Sequence, residues 1–152
     1  MVFAGLAPVV FAWHAMCHDD LPLDKNERIF RMNCNPVCRA EAVEVLNLPW
    51  GTLSWHVSRA LGNSSVITFG RATIRPGKCN PRHRHPNCDE VLHVLSGSIE
   101  HWLGDESVIL NPGDTISIPA GVWHRARALG EVEAVMVICF SSADRETEMA
   151  DE

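Results

Sequence analysis

The chain has 152 residues, 46% of them hydrophobic and 21% charged, enough to bury one sizeable core in a single domain. A formal charge of −6, from 13 basic against 19 acidic side chains, argues against nucleic acid as a partner. Six irregularly spaced cysteines, in a chain of this length with no convincing export signal, argue against a disulfide scaffold and for a reducing cytoplasm.

Taken in order, residues 1–48 are expected to form an N-terminal extension. Residues 1–17 are apolar, yet they lack a positively charged start and a small-residue cleavage site. They are also too short and broken to cross a bilayer, so no membrane is expected as a partner. A poorly ordered or strand-swapping extension is the reading adopted. Cys34-Asn-Pro-Val-Cys38 has no second Cys/His pair to complete a zinc knuckle. Residues 39–46 fit a short helix or an alternating strand, and an edge strand is expected.

Residues 49–142 read as a barrel of short strands. Pro49-Trp50-Gly51 turns into an alternating run over 52–58, and a second strand over 65–74 ends at Pro76-Gly77. Strands over 90–95 and 98–103 are expected to form a hairpin around Ser96-Gly97. Gly104-Asp105-Glu106 turns into 108–110, and Asn111-Pro112-Gly113-Asp114 into 115–118. Strands over 124–129 and 132–140 close the set. Many short strands with near-regular turn signals argue an all-β sandwich or barrel. Residues 143–152 are charged and aperiodic, and a solvated tail is expected.

Two stretches carry chemistry. His83 and His85 stand two apart, so on a strand both imidazoles face one side. Glu90 follows a break at Pro86, which lets the chain turn and bring a carboxylate back. Imidazole with carboxylate is a ligand set for a divalent transition metal. Pro119-Ala-Gly121 then delivers His124 from the second stretch.

Together these stretches resemble the two motifs of the cupin superfamily. The first motif (Gly, five residues, His-x-His, three or four residues, Glu, six residues, Gly) is met by Gly77, His83, His85, Glu90 and Gly97. The second (Gly, five residues, Pro-x-Gly, two residues, His, three residues, Asn) is met by Gly113, Pro119, Gly121 and His124, with Ala128 in place of Asn. Fifteen residues separate them, as in compact single-barrel members. The resemblance implies a jelly-roll (double-stranded β-helix) barrel, with His83, His85, Glu90 and His124 as ligands of one metal ion. It also implies a homodimer, a common cupin arrangement that would cover an exposed edge strand.

Three histidines and a glutamate leave two positions open on a six-coordinate ion. Fe, Mn, Ni or Co is therefore favoured over Zn, which the same four ligands would saturate. Strand alternation from Glu90 and His124 turns Leu92, Ala126 and Ala128 toward the interior, where they are expected to bind substrate. Ala128 is expected to enlarge the cavity. Trp55 and Trp102 are read as packing residues, and Arg82 and Arg84 as pointing away from the metal.

The reaction expected is dioxygenase-like or Lewis-acid chemistry, of lyase, isomerase or decarboxylase type, on a small molecule. A non-enzymatic binding or sensing cupin is the alternative. The chain has no tyrosine, and Leu92 occupies the position where the similar dimethylsulfoniopropionate lyases use one. A base is left to Glu90 itself, to metal-bound hydroxide, or to Glu100 or His101. Cys79 and Cys88 bracket the His pair and read as two separate thiols, with a loop-closing bridge as the sharper alternative.

Overall fold

The computed structural model describes residues 37–151, and expectations for residues 1–36 lie outside them. Among the described residues the first element is a short 3-10 turn, Ala40–Ala42, followed by strand β1 at Val45–Leu48. The strand expected over 39–46 is thus later and shorter. Both alternatives were partly present in the pattern, because Arg39-Ala-Glu-Ala favours a helical turn before the β-branched residues begin.

Ten further strands follow: β2 Gly51–Val57, β3 Thr68–Ile74, β4 His83–Arg84, β5 Glu90–Ser96, β6 Ser98–Leu103, β7 Glu106–Leu110, β8 Thr115–Ile118, β9 His124–Leu129, β10 Ala134–Phe140 and β11 Glu148–Met149. They form two antiparallel sheets, one in the order β1-β2-β3-β10-β5-β8 and the other β11-β4-β9-β6-β7. The architecture is a double-sheet jelly roll. Among the described residues, no helix is long and apolar enough to cross a membrane.

The expected hairpin of β5 with β6 does not form. β5 pairs with β10 and β8, whereas β6 lies in the other sheet between β9 and β7. Gly97 makes the corner, with φ +70°. A Cβ there would lie 2.5 Å from the Glu133 carbonyl oxygen, so the crossing demands glycine twice over, by conformation and by space. The hairpin in this region is β6 with β7, turned at Gly104-Asp105.

The facing sheets bury one core. Val94, Ile99, Ile74, Ile118 and Met136 are almost wholly inaccessible, each worth roughly 1.5–3 kcal/mol of burial. Alternation decides which residues contribute: Leu92 and Val94 are buried on β5, while Val91 and Leu95 are exposed. Gly70, paired with Trp55 across β2 and β3, has no Cβ, which would lie 2.5 Å from the indole, so the ring can approach the strand closely and wall the interior.

Residues 144–151 are mostly exposed, as expected of a solvated segment, but they are not a free tail. β11 pairs with β4, placing Glu148 opposite Arg84 and Met149 opposite His83. The Arg84–Glu148 ion pair at 2.6 Å and the Ala150 N–H donating to the Arg82 carbonyl reinforce that edge. Cys38, Cys79, Cys88 and Cys139 are free thiols. The sharper reading of a Cys79–Cys88 bridge is therefore not realised. Cys79 forms a backbone bridge to Arg127 on one sheet, whereas Cys88 belongs to the buried core.

Candidate metal centre

Three strands and one loop bring four side chains together. In the β4–β9 register His83 stands directly opposite His124, with ring centroids 4.2 Å apart. His85 follows β4, and the Gly121 N–H donating to its carbonyl at 2.8 Å ties it to the second motif's turn. Glu90 opens β5 and is 4% exposed. One donor atom from each of these four residues lies within 4.8 Å of the others. Donors bound about 2.1 Å from a common ion span at most about 4.2 Å, so a shift of a few tenths of an ångström closes the set.

The imidazoles are oriented by their far nitrogens. His83 Nδ1 lies 2.9 Å from the Pro81 carbonyl, His124 Nδ1 2.9 Å from Val122 and His85 Nδ1 2.7 Å from Glu146. A carbonyl oxygen only accepts, so each Nδ1 carries the proton and each Nε2 is turned to the centre as a potential donor atom. Nε2 of His85 and of His124 stand 3.2 and 3.1 Å from Glu90 Oε2. Two nitrogen lone pairs this close to a carboxylate repel unless a cation or proton lies between them. His85 Nε2 is moreover buried without a hydrogen-bond partner. A divalent ion meets all four atoms at once, so the residues present fit a metal.

The electrostatics agree. Burial favours the neutral acid at Glu90, but the close His124 and His85 imidazoles outweigh it and hold the carboxyl at about 2. Burial, followed by the charge of His124, pushes His83 down to about 4. Burial works against the charged form of His124, yet the hydrogen bond and charge of Glu90 raise it above the ordinary value. Protons and a metal thus compete for one centre.

A cavity of about 470 Å³ opens from these atoms. Its walls are largely apolar, including Trp50, Leu53, Trp55, Leu92, Met136, Ile138 and Phe140. Of the expected substrate residues, Leu92 and Ala126 line it. Ala128 does not; it is 1% exposed and packed in the core farther along β9, so it does not enlarge the cavity. Alternation assigns a face, not a depth. Trp55 lines the cavity, edge-on to Phe140 at 6.1 Å, while Trp102 lies outside beneath Arg125 at 4.8 Å. Arg84 is also outside, over Trp123 at 4.7 Å.

His101 is inside the cavity, 1% exposed, and stacks on His124 at 5.9 Å and 13°. Burial, then the charge of His124, pushes it down to about 4, and its Nδ1 is buried with no partner. Glu100 is on the outer face, bonded to Arg127 at 2.6 Å. Sequence reasoning missed Arg145 and Thr147, which line the cavity, and the Glu146 carbonyl that orients His85. No local pattern signals them.

Residues 70–140, which contain both motifs, match the cupin domain family. The chain belongs to the cupin superfamily. This cupin is 31% identical over 85 residues to germin-like protein 3-8 of Oryza sativa, covering 53% of the chain and 38% of that protein. Oxalate oxidase 1 of Hordeum vulgare is 31% identical over 88 residues, 53% of the chain and 44% of that protein. The chain thus spans less than half the length of either relative. A solved oxalate oxidase in complex with glycolate superposes with a TM-score of 0.63 at 25% identity, over 70% of this chain and 59% of that one.

Proposed function

We propose that this cupin is a metal-dependent enzyme acting on a small, partly apolar molecule, with one divalent ion held by His83, His85, Glu90 and His124. The observation that carries the reading is the set of three Nδ1–H groups tied to carbonyls, which turns three Nε2 atoms and a buried carboxylate onto one point. Bound there with two further coordination positions, Fe, Mn, Ni or Co would supply dioxygenase-like or Lewis-acid chemistry.

The chain's own residues define the rest. The apolar walls bind the body of the substrate and exclude water from the reacting end. Glu90 stays ionised, and its negative charge favours a cation at the centre. Among the described residues, the titratable groups lining the cavity beyond the four ligands are His101 and Arg145. Its depressed pKa keeps His101 neutral near pH 7, so it supplies no proton there and is only a weak base. The similar oxalate oxidase that holds glycolate supports a small carboxylate as the kind of molecule handled.

The test is to purify the protein aerobically, measure its metal content, and follow O₂ uptake and product formation across phenols, diketones and carboxylates. Turnover with about one metal per chain is expected. A stable metal complex that returns every ligand unchanged would replace the enzyme with a binding or sensing cupin.

A further inference from the structure

Arg145 enters the cavity from the C-terminal segment and takes part in none of the ion pairs among the described residues. Its guanidinium carbon lies 4.5 Å from the Trp55 ring centroid and 4.9 Å from that of Phe140. Such aromatic contacts suit a planar, weakly hydrated cation. One N–H donates to Thr147 Oγ1, while Nε is buried with no partner at all. Of the five guanidinium N–H groups only the one on Thr147 is met among the described residues, so the terminal N–H groups of this cavity-lining residue are left for an acceptor in the cavity.

The segment is held firmly on either side of this residue. The Asn87 side chain accepts from the Glu146 N–H at 3.0 Å and donates to the Asp144 carbonyl at 2.8 Å, gripping both neighbours of Arg145. Asn87 itself belongs to the loop between His85 and Glu90, so the cation and the metal ligands share one rigid support. Burial lowers the pKa of Arg145, chiefly opposed by the charge of Glu90, but a guanidinium remains cationic.

Charge counting points the same way. Glu90 and Arg145 cancel, so a divalent ion leaves two uncompensated positive charges among apolar walls. A neutral ligand would leave that excess in place; an anion reduces it.

We propose that Arg145 is the anion-recognition residue of the cavity, and that the ligand is an organic monocarboxylate with an aryl or branched alkyl body lying against Trp55, Leu92, Met136 and Ile138. The charge count rests on the metal reading above, whereas the unmet guanidinium donor does not. A carboxylate between Arg145 and the metal centre would bond the free guanidinium N–H groups while its body displaces water from the apolar wall.

The experiment measures binding by calorimetry for phenylacetate and phenylacetamide, a pair of nearly identical shape. It uses the protein as purified and after metal removal, in the wild type, Arg145→Met and Arg145→Lys. The wild type should prefer phenylacetate by roughly ten- to a hundredfold, as a charge-assisted hydrogen bond predicts. Arg145→Met should abolish that preference with metal content unchanged. Arg145→Lys, which keeps the charge but loses the fork, should retain part of it and carries the test if the methionine variant does not fold. An Arg145-dependent preference that persists in metal-free protein supports this assignment even if the metal reading fails. A preference that vanishes with the metal but survives Arg145→Met overturns it, and so does equal binding of acid and amide by the wild type.

Discussion

His85 takes its orientation from the Glu146 carbonyl, 61 residues away, while His83 and His124 each use a carbonyl two residues back. Single alanine substitutions of His83, His85, Glu90 or His124 should each lower metal content by tenfold or more, since each removes a donor from one chelate. Full occupancy in His124→Ala, measured by elemental analysis, would retire the four-ligand centre. Because only neutral imidazole ligates, occupancy should fall on acidification, starting where His124 takes up its proton, above the ordinary histidine value, and continuing toward about 4, where His83 does. The metal-free fold has its own pH dependence. His101 titrates near 4 when folded, well below its unfolded value, so between those limits the unfolded chain binds more protons and stability declines on acidification. The slope from this group is at most about 1.4 kcal/mol per pH unit. His101→Leu should flatten that part of the curve, read as Tm against pH from 7 to 4. An unchanged slope would show that His101 does not contribute.

At the level of elements, the corner at Gly97 and the strand β11 do different work. Gly97→Ala forces a side chain into a left-handed residue and against the Glu133 backbone. A loss of about 3 kcal/mol or more is expected, from conformational cost plus overlap. Denaturant unfolding within 1 kcal/mol of wild type would show that the corner relaxes. Truncation after Asp144 removes β11, Arg145 and the His85 anchor but none of the larger strands. The barrel should keep its far-UV spectrum while metal affinity falls about ten- to a hundredfold, as loss of such an outer support commonly costs. Unaltered affinity would mean that His85 orients without Glu146. The pairing of β11 is invisible in the sequence because Arg84 and Glu148 are 64 residues apart and two-residue strands leave no periodic pattern.

For the whole molecule, among the described residues the six-stranded sheet ends in β1, with Val45 and Leu46 53% and 40% exposed. An apolar edge strand without a neighbour among the described residues invites pairing, and we propose a homodimer built on this edge. Leu46→Lys should shift sedimentation from dimer to monomer without lowering Tm. A wild type that sediments as a monomer at tens of micromolar, unaffected by removing residues 1–17, would dismiss the dimer.

Local sequence alone determined the strand-and-turn class of this protein, because side-chain alternation and turn chemistry act over a few residues. It also brought His83 and His85 to one face, since that needs only a period of two. With the motif resemblance, it assembled Glu90 and His124 into the same centre. What only the tertiary structure decided were the properties that depend on distant partners. Alternation could not tell that β5 and β6 belong to different sheets, because a corner and a hairpin both begin with a glycine. It could turn Ala126 and Ala128 to the same side, but only the depth of the core separates the one that lines the cavity from the one that does not. Arg145 lies in a charged, aperiodic stretch, and what makes it a half-buried cation is packing against Trp55 and Phe140. Burial is a property of neighbours brought together by the fold, and no window of local sequence contains them.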